Sequence, residues 1–156
     1  MIIETGNAQD EIIETGSALF TLTESGLSMA TLNAVAQNAA VDAVAALSNA
    51  GFIDVYDNTP VTPVLLAHCL LDDPAFSPAD DGIAVLAETA EDTEADATGI
   101  AATFILTKTN GDPILSGSVS ATGGAGELQF KTVSFVENVV VDITGFTITL
   151  PAAPQE

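Results

Sequence analysis

The chain has 156 residues, 47% of them hydrophobic, and sets 22 Asp and Glu against two Lys and no Arg, for a formal net charge of −20. That length fits one domain with appendages, and the apolar content suffices for a core. The charge excludes a nucleic-acid binder, which needs Lys and Arg against phosphates, and it equally disfavours an anionic membrane surface.

The N-terminal stretch repeats itself. Ile2-Ile3-Glu4-Thr5-Gly6 returns as Ile12-Ile13-Glu14-Thr15-Gly16, and Thr23-Glu24-Ser25-Gly26 is a fainter echo. Each unit joins two β-branched residues to a polar turn ending in glycine, which predicts short extended segments separated by bends. Two copies are too few for a solenoid. Leu19, Phe20, Thr21 and Leu22 alternate as a short strand ending at Gly26. Residues 1–28 are therefore read as an extended arm, with Met29 as an alternative start of translation.

Residues 31–50 are rich in Ala, the strongest helix former, and predict one helix. Leu32, Val35, Ala36, Ala39, Ala43 and Leu47 recur at three- and four-residue steps, so they are expected to form the buried stripe. Thr31 or Ser28 is the expected N-cap, and Gly51 the expected left-handed residue ending the helix.

From Phe52 the texture becomes that of strands. Residues 52–57 alternate, and 64–71, Val-Leu-Leu-Ala-His-Cys-Leu-Leu, form a continuous apolar run expected to be a central strand. Further strands are expected at 83–89, 100–108, 113–119, 128–135, 138–143 and 145–150. Asn110-Gly111 is a hairpin signal between two of them. Many short strands with turn signals predict a mainly β fold, an antiparallel β-sandwich with one N-terminal α-helix and an extended arm. The expected divisions are 1–28 arm, 29–150 domain and 151–156 tail.

Little in the sequence looks like catalysis. The single histidine, His68, sits within the apolar run and reads as a satisfied core or interface residue. The single cysteine, Cys69, has no intramolecular partner and reads as a small buried hydrophobe. Residues 122–126, Thr-Gly-Gly-Ala-Gly, lack the following Lys and helix of a phosphate loop and read as a turn. Glu91, Asp92, Glu94 and Asp96 place oxygen ligands close together and are candidate weak Ca²⁺ ligands. The match to an EF-hand loop fails at Ala97 and Thr103, where Gly and Glu would be needed. Asp72, Asp73, Asp80 and Asp81 form a second acidic loop. Glycoside cleavage ranks low because the chain has no Trp and one Tyr. No basic leader precedes an apolar core, and no run approaches the ~18 apolar residues of a spanning helix.

Across residues 29–150 the chain resembles a family of small virion proteins of tailed bacteriophages. The resemblance rests on the helix leading into Tyr56-Asp57-Asn58-Thr59-Pro60, on Ala95-Asp96-Ala97-Thr98-Gly99 opening a strand, on Gly117-Ser118-Val119, and on the closing Thr144-to-Leu150 strand. It implies a helix-plus-β-sandwich fold and a structural, non-enzymatic place in the virion, with no cofactor. A head decoration or cement protein is the first expectation, and a tail, neck or fibre component the second. A Ca²⁺-dependent adhesive module is the alternative of a different class. The expected partners are the major capsid protein or neighbouring copies of the chain itself, as a homo-oligomer. The arm would hold them, with Ile2, Ile3, Ile12, Ile13 and Phe20 as apolar pegs and Gly6 and Gly16 as bends. The acidity fits either such an assembly or adaptation to high salt.

Overall fold

A computed structural model describes residues 32–87 and 90–150. The chain divides into two units, Met1–Thr31 and Leu32–Glu156, and every described residue belongs to the second. The arm residues Ile2, Ile3, Gly6, Ile12, Ile13, Gly16 and Phe20, like the 151–156 tail, lie outside the described residues.

Among the described residues one helix and ten strands occur in the order α1 (Ala34–Leu47), β1 (Phe52–Tyr56), β2 (Leu65–Leu70), β3 (Ile83–Val85), β4 (Glu91–Asp92), β5 (Gly99–Ile100), β6 (Thr103–Thr107), β7 (Pro113–Ala121), β8 (Leu128–Phe130), β9 (Ser134–Phe135) and β10 (Val141–Thr149). Strands pair in the order β2-β1-β6-β7-β8-β10-β3, with β4 also on β10; β5 and β9 pair separately. The described fold is mainly β, with one helix among the described residues, and its sheet is curled and mixed.

The fully antiparallel expectation fails at β7 and β8, which run parallel. After β7 the chain doubles back against that strand instead of forming a hairpin. Gly126 donates its amide to Ser120 Oγ, and the Glu127 carboxylate accepts from the Ser118 amide and hydroxyl. A Cβ on Gly126 would lie 2.7 Å from the Ser120 nitrogen, so only glycine allows this return. The 122–126 turn is also pinned by Gln129, whose side chain bonds both Gly123 and Gly124.

The Asn110-Gly111 hairpin forms as predicted and joins β6 to β7, with Gly111 at φ 86°. The segments expected at 138–143 and 145–150 are instead one strand, β10, with a register irregularity between Ile143 and Gly145 that bends without breaking it. The 128–135 stretch splits into β8 and β9. The apolar run expected to be central is β2, at the end of the strand order; Leu66, Ala67 and Cys69 are buried, but His68 and Leu70 are exposed. The core gathers inward-facing residues of β1, β2, β6, β8 and β10, among them Ile53, Leu106, Leu128 and Ile143, while Ile114, Leu115 and Val119 of β7 pack half-buried against it. Phe104 and Phe76 both meet Phe146 edge-on, at 5.1 and 5.5 Å between ring centroids.

The helix differs from expectation at both ends. Its N-cap is Asn33, whose side chain accepts from the Ala36 amide at 2.9 Å, rather than Thr31 or Ser28. At the other end Ala50, not Gly51, is left-handed, with φ 52°. Gly51 is needed for space: a Cβ there would lie 2.2 Å from the Thr107 carbonyl oxygen.

Candidate functional site

The helix docks with the opposite face from the one its apolar spacing predicts. Val41, Ala45 and Ser48 are buried, while Leu32, Val35, Ala39, Ala43 and Leu47 face solvent. The reason lies in the 75–82 loop, whose backbone amides need acceptors. Asn38 takes the Gly82 amide at 2.7 Å, Asp42 the Ala79 amide at 2.7 Å, and Asn49 the Ala75 amide at 3.0 Å. Ser48 closes the helix by donating its hydroxyl to the Ala45 carbonyl at 2.6 Å. Polar anchors on one side of the helix therefore turn the apolar stripe outward. Val35 is 77% exposed, Leu32 53% and Leu47 49%. Asp42, the one charged residue of α1, belongs to the loop-facing side, so the outward stripe is uncharged in a chain of net charge −20. A second apolar group is exposed around the β5–β9 pair, comprising Ile100, Val136, Val139 and Val140.

His68 is placed by its cross-strand neighbours. Register sets Asp54 opposite His68 and Phe52 opposite Leu70. His68 Nδ1 lies 2.5 Å from Asp54 Oδ1, and the ring stacks on Phe52 with centroids 4.2 Å apart. The side chain is 45% exposed, so His68 is a surface residue held by a carboxylate and an aromatic ring. Neither partner was singled out from sequence, although the polar position in Phe52-Ile53-Asp54-Val55 was the available signal. A cleft of about 570 Å³ beside it is lined by Leu70, Asp72, Glu91, Asp92 and Thr93.

The candidate Ca²⁺ ligands serve the edge of the sheet. Asp92 Oδ2 accepts from the His68 amide at 2.8 Å and Oδ1 from the Glu94 amide at 3.1 Å. The Asp96 amide donates to the Leu66 carbonyl. The 91–96 segment thus covers part of the outer edge of β2, which would otherwise offer bare backbone groups. Glu91, Asp92, Glu94 and Asp96 do not converge: among the described residues no group of three or more His, Cys, Asp or Glu forms a metal-binding set. Asp72, Asp73, Asp80 and Asp81 likewise stay apart as a site.

Carboxylates bind backbone amides elsewhere too. Asp57 accepts from the Thr59 and Val64 amides and the Thr59 hydroxyl, pinning a loop whose tip, Val61, is 91% exposed. Those bonds, led by the Thr59 hydroxyl, hold Asp57 below the usual carboxylate range. The Ser118 hydroxyl and then its amide do the same for Glu127. Burial, with smaller contributions from Asp92, Asp54, Asp142 and Asp96, pushes the Cys69 thiol up to about 12, leaving it unreactive near neutrality.

One interruption in the sheet has the shape of a site. β8 bridges β7 and β10 only where it pairs with Val119–Ala121 and with Ile143–Phe146. Beyond it, β7 and β10 face each other with no ladder between them among the described residues. A groove of about 280 Å³ lies there, bounded by Leu115 and Ser116 on one strand and Thr147 and Thr149 on the other, with Phe104 and Phe146 beneath.

No helix among the described residues is long and apolar enough to cross a membrane. The chain matches no protein-family model, no curated protein and no solved structure.

Proposed function

We propose that this chain is a non-enzymatic structural protein of a tailed-phage particle, in first place a head decoration protein. The observation that carries the reading is the reversed helix, which holds an uncharged apolar stripe in solvent on a strongly acidic molecule. Like-charged copies repel over most of their surface, so an uncharged stripe is where they or a capsid subunit approach at least cost. The stripe is small. A 14-residue helix is about 21 Å long, and a face about 10 Å wide offers about 200 Å². A stable isolated pair needs about 800 Å² from each partner. Such a contact suits a lattice, where repeated weak contacts add to those made by an arm. The arm's Ile2, Ile3, Ile12 and Ile13 would add short strands to neighbouring sheets, with Gly6 and Gly16 turning the chain between them. The resemblance across residues 29–150 supports the same assignment, and the curling of the sheet supports reading its halves as the layers of a β-sandwich.

The test is copy number, by quantitative mass spectrometry of purified particles against the major capsid protein. A number comparable to the capsid lattice supports decoration. A dozen or so copies moves the chain to the neck, tail tip or fibres, and absence from particles overturns the virion assignment.

A further inference from the structure

We propose that the groove between β7 and β10 is an acceptor slot for an extended strand from a second copy of this chain, and that the strand is one of its Ile-Ile-Glu-Thr-Gly units. The proposal rests on the arm's role in assembly and gives the arm a place to dock.

The backbone dictates the slot. The Val119 amide donates to Ala102 on the β6 side, so by alternation Ser118 and Ser116 turn their backbone groups away from β6, toward the groove. On the other wall, Phe146 accepts from the Leu86 amide and Leu150 donates to Gly82, so both face away from the groove, and Thr147 and Thr149 face into it. Ser118 is where the slot ends, because the Glu127 carboxylate already takes its amide. Among the described residues no strand lies beside Ser116, Thr147 and Thr149 on this side. Two facing edges in one sheet, flanking an apolar floor, call for a strand that pairs with both.

The other sheet edges are less available. On β2, Asp92 and Asp96 take up the His68 amide and the Leu66 carbonyl. On β3, Ser77 and Asp80 bond Val85 and Ile83.

The repeat unit fits the slot's chemistry. In an extended Ile-Ile-Glu-Thr-Gly, Ile3 and Thr5 share one face and Ile2 and Glu4 the other. One isoleucine then meets Phe104 and Phe146 while the glutamate stays in water. The same holds for Ile13 and Thr15 against Ile12 and Glu14. From Gly16 to Leu32 the chain spans at most about 50 Å, ample to reach a neighbour. Because each copy carries a net charge of −20, the association strengthens as salt screens the repulsion.

The experiment uses the full-length protein. Sedimentation velocity over a concentration series, at about 0.05 and about 0.5 M NaCl, should show self-association that is stronger in high salt. Ser116→Pro removes an amide facing the slot and leaves the β6 ladder intact. The pair Ile3→Asp with Ile13→Asp leaves the slot untouched. Each should weaken association about tenfold or more. A synthetic peptide of residues 1–16 should dissociate the oligomer and shift the amide resonances of Ser116, Thr147 and Thr149. The slot assignment is overturned if the protein stays monomeric and the peptide moves none of these resonances. It is equally overturned if the arm variant associates like wild type, or if the peptide perturbs a different edge. These results are separable from the virion assignment: a chain absent from particles can still fill its slot, and a chain abundant in particles can fail every solution test.

Discussion

Substituting Ala50 and Gly51, the two residues that lead from the helix into β1, tests the local reading of the backbone. Ala50 is left-handed at φ 52°, a conformation costing a Cβ-bearing residue about 1–2 kcal/mol. Ala50→Gly removes that strain but adds about 0.5–1 kcal/mol of unfolded-state freedom, for a net gain of about 0.5 kcal/mol. Gly51→Ala puts a methyl 2.2 Å from the Thr107 carbonyl oxygen and 2.9 Å from that of Ser48, both backbone atoms. Relief requires moving the Phe52–Thr107 rung that starts the β1–β6 ladder, or the helix end itself. Overpacking of this kind costs about 3 kcal/mol. Thermal midpoints should therefore rise by about 2 °C for Ala50→Gly and fall by about 10 °C for Gly51→Ala. Urea denaturation of the full chain, followed by far-ultraviolet circular dichroism with the slope unchanged, reads both. The reasoning is refuted if Ala50→Gly destabilises while Gly51→Ala costs about 1 kcal/mol or less, since that is how a left-handed Gly51 would behave.

Phe104→Ala removes a side chain 1% exposed and its edge-on contact with Phe146; a loss of about 3–5 kcal/mol in the same urea assay is expected. Val35→Glu, at a position 77% exposed, should change folding stability by no more than about 0.5 kcal/mol yet reduce incorporation into particles. Cys69 should resist alkylation at neutral pH in the native protein and react at once in denaturant, because its thiol is buried and pushed up to about 12. Glu127 lies below its ordinary value of 4.5 in the folded chain, so the stability it adds is complete above that value and lost as pH falls through the depressed one. Glu127→Gln should flatten this acid-side loss relative to wild type in a stability–pH series.

The elements were more legible than their neighbours. Alanine content announced the helix, and Asn110-Gly111 announced the hairpin, because each signal is local. The buried face of the helix was not legible, since with alanine on every side apolar spacing carries little contrast. Asn38, Asp42 and Asn49 decided it by meeting the amides of a loop more than twenty residues away. The apolar run 64–71 suggested a central strand because alternation is silent about which strands lie beside it. Its outer edge is covered by carboxylate and loop rather than by a strand. The acidic 91–96 cluster looked like a cation site for the same reason. Its spacing was visible, but the backbone donors that claim Asp92 come from elsewhere in the chain. The β7–β10 slot was invisible because it depends on where β8 stops, which pairing decides.

β10 is the last strand described, and it alone links β3 to the rest of the sheet. The β2-β1-β6-β7 half joins strands available earlier in the chain. During synthesis that half has its partners while β3, about sixty residues before its partner segment in β10, does not. The helix, which packs on β3 and β10, waits with it. The β3–β10 ladder joins segments far apart in the chain, and contacts of such long sequence separation form slowly. Until that ladder forms, Ala84 of β3 and the surface that receives α1 stay wet. That interval, more than the finished molecule, sets how much chaperone help the chain needs and how far a lesion in residues 141–149 will be felt.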